Sequence, residues 1–331
     1  MTTATFESTN DSGVHAAATL DTAPRSLADR QSPSPRAIVL ATDGSSAALA
    51  ALRLAASIAN RDQCPVEALV VEDPFGAPTR GLAVDGETFC KKPGVTMANL
   101  GRVRQQLCST LRARRWNFHV EFGRVGPTIA DAATAYRARL IVLGLNRYTA
   151  LRRIFGSETS VRVLRHASVP VLAVPSEAPK LLRTAVAAID FSPASLRAAA
   201  EARDLLAAQG SLHLVHVRPP TTDAVTSTGW HAIYEAGMSD LLQKLTKQLS
   251  RDGITVTTHV ESGNIAESVL RLARTVGADL VACGTHGFNA IERLILGSVP
   301  TDLLRSAECA VLVAPAPREP VACEVGRAAL R

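Results

Sequence analysis

Aromatic side chains are scarce, at 4% of the 331 residues. Ala, Val and Leu must therefore fill the core, as they do where helices cover parallel sheets. No apolar run approaches the roughly 18 to 20 residues that cross a bilayer, so no membrane-spanning helix is expected. The six cysteines (Cys64, Cys90, Cys108, Cys283, Cys309 and Cys323) show no Cys-x-x-Cys spacing. That argues against zinc and against a disulfide framework, and leaves scattered reduced thiols. Residues 1–35 are rich in Ser, Thr, Ala and Pro and carry acids at Glu7, Asp11, Asp21 and Asp29. They lack the basic start and apolar stretch of a signal peptide, so a disordered tail and a cytoplasmic location are expected. Also missing are a Gly-x-x-x-x-Gly-Lys-Ser/Thr phosphate loop, a Gly-x-Ser-x-Gly elbow and a His-Glu-x-x-His helix.

What is present is an ordinary globular composition, 47% hydrophobic and 20% charged, on a length that favours two domains. The formal net charge of +6 is unevenly spread. Residues 36–175 hold 19 Lys/Arg against 10 Asp/Glu, whereas residues 180–315 hold 12 against 13. The two halves are thus expected to do different jobs.

A long internal repeat underlies them. The run from Arg36 to Asp43-Gly-Ser45 matches the run from Thr184 to Asp190-Phe-Ser192. Gly123 to Gly144 and Gly263 to Gly284 are equal spans, each with a helical pattern and then a buried-strand run. Each copy closes on an apolar strand, near 169–174 and 309–314. Strands alternating with helical segments imply βαβ units with right-handed crossovers. Strands are predicted near 36–41, 65–71, 117–122, 139–143 and 169–174, then near 184–189, 211–217, 254–260, 279–283 and 309–314. The expected organisation is a tail over 1–35, domains over 36–175 and 180–315, a linker around Pro175–Pro179 and a tail over 316–331. Residues 73–96 read as a long loop inside the first copy.

Open parallel sheets take ligands beyond the carboxyl ends of their strands, at the point where strand order reverses. In the second copy that region reads Gly284-Thr285-His286-Gly287, nine residues, then Gly297-Ser298 at a helix start. Glycines let backbone approach phosphates, free N–H groups at the helix start receive an anion, and Ser298 adds a hydroxyl. Thr285 or His286 can reach outer phosphates, Asp190 can take both ribose hydroxyls, and main-chain groups of Val217 can meet a base. Bland readings stand beside these. Gly284 and Gly297 suit an ordinary turn and cap, His286 a solvated loop, and Asp190 the cap of the next helix. His213 and His216, three apart on one strand, face opposite ways and cannot share a metal.

This pattern, with Asp-Phe-Ser after the first strand and Leu-Val-His-Val on the second, resembles the universal stress protein family in tandem form, over about 280 residues. The resemblance implies an α/β, Rossmann-like fold: two five-stranded parallel sheets of order 3-2-1-4-5 with helices on both faces. It implies ATP, ADP or AMP as ligand, with Mg²⁺ free to accompany the phosphates. It implies a role in stress survival rather than a fixed metabolic step, with contacts at Asp190, Val217, Gly284, Gly287, Gly297 and Ser298. Relatives pair through their last strands. Here 169–174 is therefore expected antiparallel to 310–314 within one chain, giving a monomer or a weak dimer.

The first copy departs from the pattern. Its loop reads Gly144-Leu-Asn-Arg147, then eight residues, then Gly156-Ser157, so a side chain stands where backbone should approach phosphates. Arg152, Arg153, Arg162 and Arg165 follow. This copy is expected not to bind ATP in the family manner, and its arginines read first as a solvated basic face, then as a hold for another anion. Nucleic acid is not the expected partner. The function expected is a nucleotide-binding stress protein without efficient catalysis. An interaction module with no nucleotide, or a weak ATPase, is the alternative.

Overall fold

A computed structural model describes residues 36–73, 97–111, 116–145, 158–218, 228–285 and 296–317. Its first half runs β1 (Ile38–Ala41), α1 (Ser46–Asp62), β2 (Val66–Glu72), α2 (Met97–Thr110), β3 (Trp116–Phe122), α3 (Val125–Ala135), β4 (Leu140–Leu145), α4 (Glu158–His166) and β5 (Val171–Pro175). The second repeats it as β6 (Thr184–Ala188), α5 (Pro193–Leu205), β7 (Gly210–Arg218), α6 (Thr228–Leu249), β8 (Ile254–Ser262), α7 (Ile265–Thr275), β9 (Leu280–Gly284), α8 (Ser298–Ser306) and β10 (Ala310–Ala314). All ten expected strands are present, with ends shifted by a residue or two. Of the loop expected over 73–96, residues 74–96 lie outside the described residues, as do residues 1–35 and 318–331.

The strands form one sheet of order β3-β2-β1-β4-β5-β10-β9-β6-β7-β8. Within each half neighbouring strands are parallel, in order 3-2-1-4-5. The halves join where β5 meets β10 antiparallel, with Ala173, Leu172 and Val171 opposite Val311, Leu312 and Val313. The expected pairing within the chain is thus observed. Leu172 and Leu312 face each other at its centre, both fully buried. Pro170 stands just before β5, where its carbonyl accepts from Ile141 N at 2.9 Å and its missing donor is not needed. The apolar edges predicted at the ends of the two repeats cover each other, which leaves β3 and β8 as the sheet's outer strands.

Each face of the sheet carries one continuous core running through both halves. One lies under α1, α2, α5 and α6, the other under α3, α4, α7 and α8. Seven alanines of α1 are buried, so that helix lies close on the strands without large side chains. Among the described residues no helix is long and apolar enough to cross a membrane.

Candidate functional site

The site forms where the second half changes winding direction. From β6 the chain crosses to β7 on one side, and from β8 it returns to β9 on the other. The crevice beyond the ends of β6 and β9 is the ligand position of open α/β sheets. A pocket of about 170 Å³ opens there. Of the residues named from sequence, Asp190, Val217, Gly284, Thr285, Gly297 and Ser298 all line it. His286 and Gly287 lie outside the described residues.

Asp190 follows β6 in a tight turn. Its Oδ1 accepts from Ser192 N at 3.0 Å and Ser192 Oγ at 2.6 Å. Ser192 Oγ in turn accepts from Ser195 N at 3.2 Å, which makes Ser192 the cap of α5. The carboxylate is exposed, and it braces the capping serine rather than capping the helix itself. Phe191, between them, has φ +62°, a left-handed conformation rare for a bulky residue. It is buried and packs against the His216 ring at 5.8 Å, while His216 Nδ1 lies 2.8 Å from Ile189 O. His216 thus holds the end of β6 in place, a task its strand position alone did not disclose.

Val217 offers its backbone by a register argument. Val215 O accepts from Ile189 N at 2.8 Å, toward β6. Two residues on, Val217 turns its N–H and C=O the same way, beyond the point where β6 stops. Thr285 ties the next wall together. Its N donates to Ala314 O at 2.9 Å, and its O accepts from Gly297 N at 3.0 Å. That second bond sets Gly297 at the start of α8, a cap residue with no side chain to offer, and among the described residues none caps the helix. The N–H groups of Ser298 and Val299 therefore lack intrahelical acceptors, Pro300 has none to offer, and the positive end of the helix faces the pocket.

Ile265, Cys283, Val299 and Pro300 add apolar lining that sequence reading did not single out. Cys283 is fully buried; desolvation, then the Asp190 charge, pushes its thiol up to about 12. It is a neutral wall, and only its place in a strand run hinted at the site.

Gly284 has a packing reason for being glycine. A Cβ there would stand 2.8 Å from Ala194 Cβ and 2.9 Å from Ser195 N. Gly144 is tighter still, 2.5 Å from Ala48 N. This glycine serves helix–strand packing in both copies, as well as lining the pocket in the second.

In the first copy the Asp43 turn recurs, with Ser45 N donating to Asp43 Oδ1 at 2.9 Å and Ser45 capping α1. The neighbouring chemistry differs. Leu145 follows Gly144 where Thr285 follows Gly284, and it is buried. Arg147, Arg152 and Arg153 lie outside the described residues.

Comparison with known proteins agrees with this architecture. The model of the universal stress protein family matches twice, over residues 35–175 and 182–315. A universal stress protein of Mycobacterium tuberculosis is 29% identical over 233 residues, 66% of this chain and 71% of the relative. One of Staphylococcus haemolyticus is 42% identical over 76 residues, 22% of this chain and 46% of the relative. The match to such short relatives spans about half their length. Among solved structures, a universal stress protein of Archaeoglobus fulgidus superposes with TM-score 0.56 at 19% identity, covering 86% of this chain and 98% of that one. One from Pseudomonas aeruginosa gives 0.61 at 18%, covering 89% and 98%.

Proposed function

Because the chain belongs to the universal stress protein family, in tandem form, we propose that its second copy binds ATP or another adenine nucleotide and acts as a regulatory binder rather than an enzyme. The observation that carries this reading is the pairing of the α8 N-terminus, opened by Gly297, with the Asp190 turn across one apolar pocket. The two ends suit a phosphate chain and a ribose, and the apolar lining between them suits a purine. In this assignment Asp190 takes ribose hydroxyls and the Val217 backbone meets the base. Gly284, Thr285, Gly297 and Ser298, with His286 and Gly287 of the intervening sequence, receive the phosphates, and Mg²⁺ accompanies them. Residues 36–175 and 180–315 then act as two domains of different duty, the first structural with a solvated basic face.

Catalysis is not built in to the same degree. Among the described residues the lining offers phosphate donors, and its one carboxylate, Asp190, is assigned to the ribose rather than to orienting an attacking water, which is a large part of hydrolysis. Turnover of ATP is expected far below the typical enzyme value of about 10 per second. Two assays test the reading. Denaturing the purified full chain and analysing the supernatant by mass spectrometry should release an adenine nucleotide, or the stripped protein should rebind one. A chain that does neither is an interaction module, and sustained phosphate release at enzyme rates makes it an ATPase.

A further inference from the structure

Spacing along one strand keeps His213 and His216 apart, but pairing between strands brings His213 to another histidine. β7 and β8 run in parallel register with His213 opposite Thr257 and Val215 opposite His259. Alternation along the strands puts His213, Thr257 and His259 on the sheet face that α7 covers. His213 Nδ1 lies 3.1 Å from His259 Nε2, and Thr257 Oγ1 lies 2.8 Å from the same His213 nitrogen. All three side chains are half-buried.

We propose that His213 and His259 form a two-imidazole site for a divalent transition metal of the zinc class, with Thr257 at its edge and water completing the shell. A tetrahedral zinc with Zn–N bonds of about 2.0–2.1 Å holds two ligand nitrogens roughly 3.4 Å apart, so a small opening of the observed pair admits the ion. Imidazole suits zinc, copper and nickel, and it binds as the neutral ring. Burial, then the neighbouring His259, pushes the His213 pKa down, which favours that neutral form. Among the described residues no group of three or more His, Cys, Asp or Glu can hold a metal, so the site has two protein ligands only. Glu261, next on this face of β8, is held by Arg271 at 2.6 Å. His216 stays outside the site, on the opposite face and against Ile189 O.

The first copy shows what the same place looks like when closed. Glu67, Asn117 and His119 occupy the positions of His213, Thr257 and His259. There Asn117 Nδ2 donates to both Glu67 oxygens at 3.0 and 3.1 Å, and His119 Nε2 meets Glu67 Oε2 at 2.7 Å. Tyr136, at the C-terminus of α3, stacks on the His119 ring at 4.6 Å. Val276 has that place at the end of α7 in the second copy, where an aliphatic side chain cannot form such a stack. The carboxylate that is spent within the first trio is replaced by a second imidazole in the other.

The test uses the untagged full chain, stripped with a chelator and titrated with zinc chloride against a chromophoric zinc indicator. The expected result is one zinc per chain whose affinity falls at least tenfold in His213→Gln and again in His259→Gln, with circular dichroism unchanged. Should either variant fail to fold, imidazole nitrogen NMR on the natural chain decides, because zinc must then shift the resonances of both rings together. Equal zinc affinity in all three proteins, loss in one variant only, or a shift of neither or only one ring overturns the proposal and leaves a hydrogen-bonded pair.

Discussion

Gly144 and Gly284 sit at the same strand position of the two halves, near the ends of β4 and β9, and each meets the first turn of a helix at a distance no side chain tolerates. Replacing either by Ala must push that helix off the sheet. A loss of about 1–3 kcal/mol, the usual range for overpacking, is expected in chemical denaturation for both variants. A destabilised Gly284→Ala beside an unaffected Gly144→Ala would contradict the shared packing role. The spacing of these glycines was legible in the sequence; their reason was not, because a glycine needed by a neighbouring helix and one needed by a phosphate look alike. Cys283 was illegible for a related cause, since a buried thiol among Leu, Val and Ala reads only as strand. With its pKa about 12 and no exposure to speak of, it should resist iodoacetamide at pH 8 in the folded chain, while exposed Cys108 is alkylated. Rapid labelling of Cys283 under those conditions would show that its burial is wrong.

The elements were legible to the degree that burial on both faces makes parallel strands continuous apolar runs. Ends were less so. β5 begins at Val171 rather than 169, because Pro170 contributes only an acceptor at the strand's threshold. Side-chain contacts between distant elements were hidden, and one of them fastens the two halves. Arg61, at the end of α1, donates from Nη1 to Leu205 O at 3.1 Å and Leu206 O at 2.8 Å, and from Nη2 to Asp204 O. A cation placed on the last carbonyls of α5 satisfies them and opposes the helix dipole. Arg61→Ala is expected to lower stability by roughly 1–2 kcal/mol, read from the denaturation midpoint. The neighbouring Asp62 adds a pH signature. Burial raises its pKa, but the hydrogen bond and charge of Arg61, with those of Arg139, outweigh this and leave it below its ordinary 3.8. A depressed carboxylate contributes stability above the unfolded value that is lost as pH falls through the folded one. Natural chain and Asp62→Asn should therefore differ at pH 6 and converge in strong acid; a gap that widens on acidification would reverse that assignment.

At the scale of the whole molecule, duplication has produced one sheet with two unlike ends. The antiparallel seam of β5 and β10 and the two shared cores make the halves a single packed body, as the apolar closing strands of each repeat foretold. Along that body charge is lopsided, with the basic excess in the first half. The chemistry is lopsided too. Thr285 beside a pocket has Leu145 as its counterpart in the other copy, and the opposed rings of His213 and His259 answer to the locked Glu67–His119 pair. Departure of the first copy from the glycine pattern was readable at Arg147, whereas the imidazole pair was not, because it joins residues on two strands. The asymmetry is the central claim, and binding stoichiometry tests it most directly. Isothermal titration of the nucleotide-free full chain with ATP should give one site per chain, weakened at least tenfold by Asp190→Ala and unchanged by Asp43→Ala. Two equivalent sites, or equal sensitivity to the two substitutions, would contradict it.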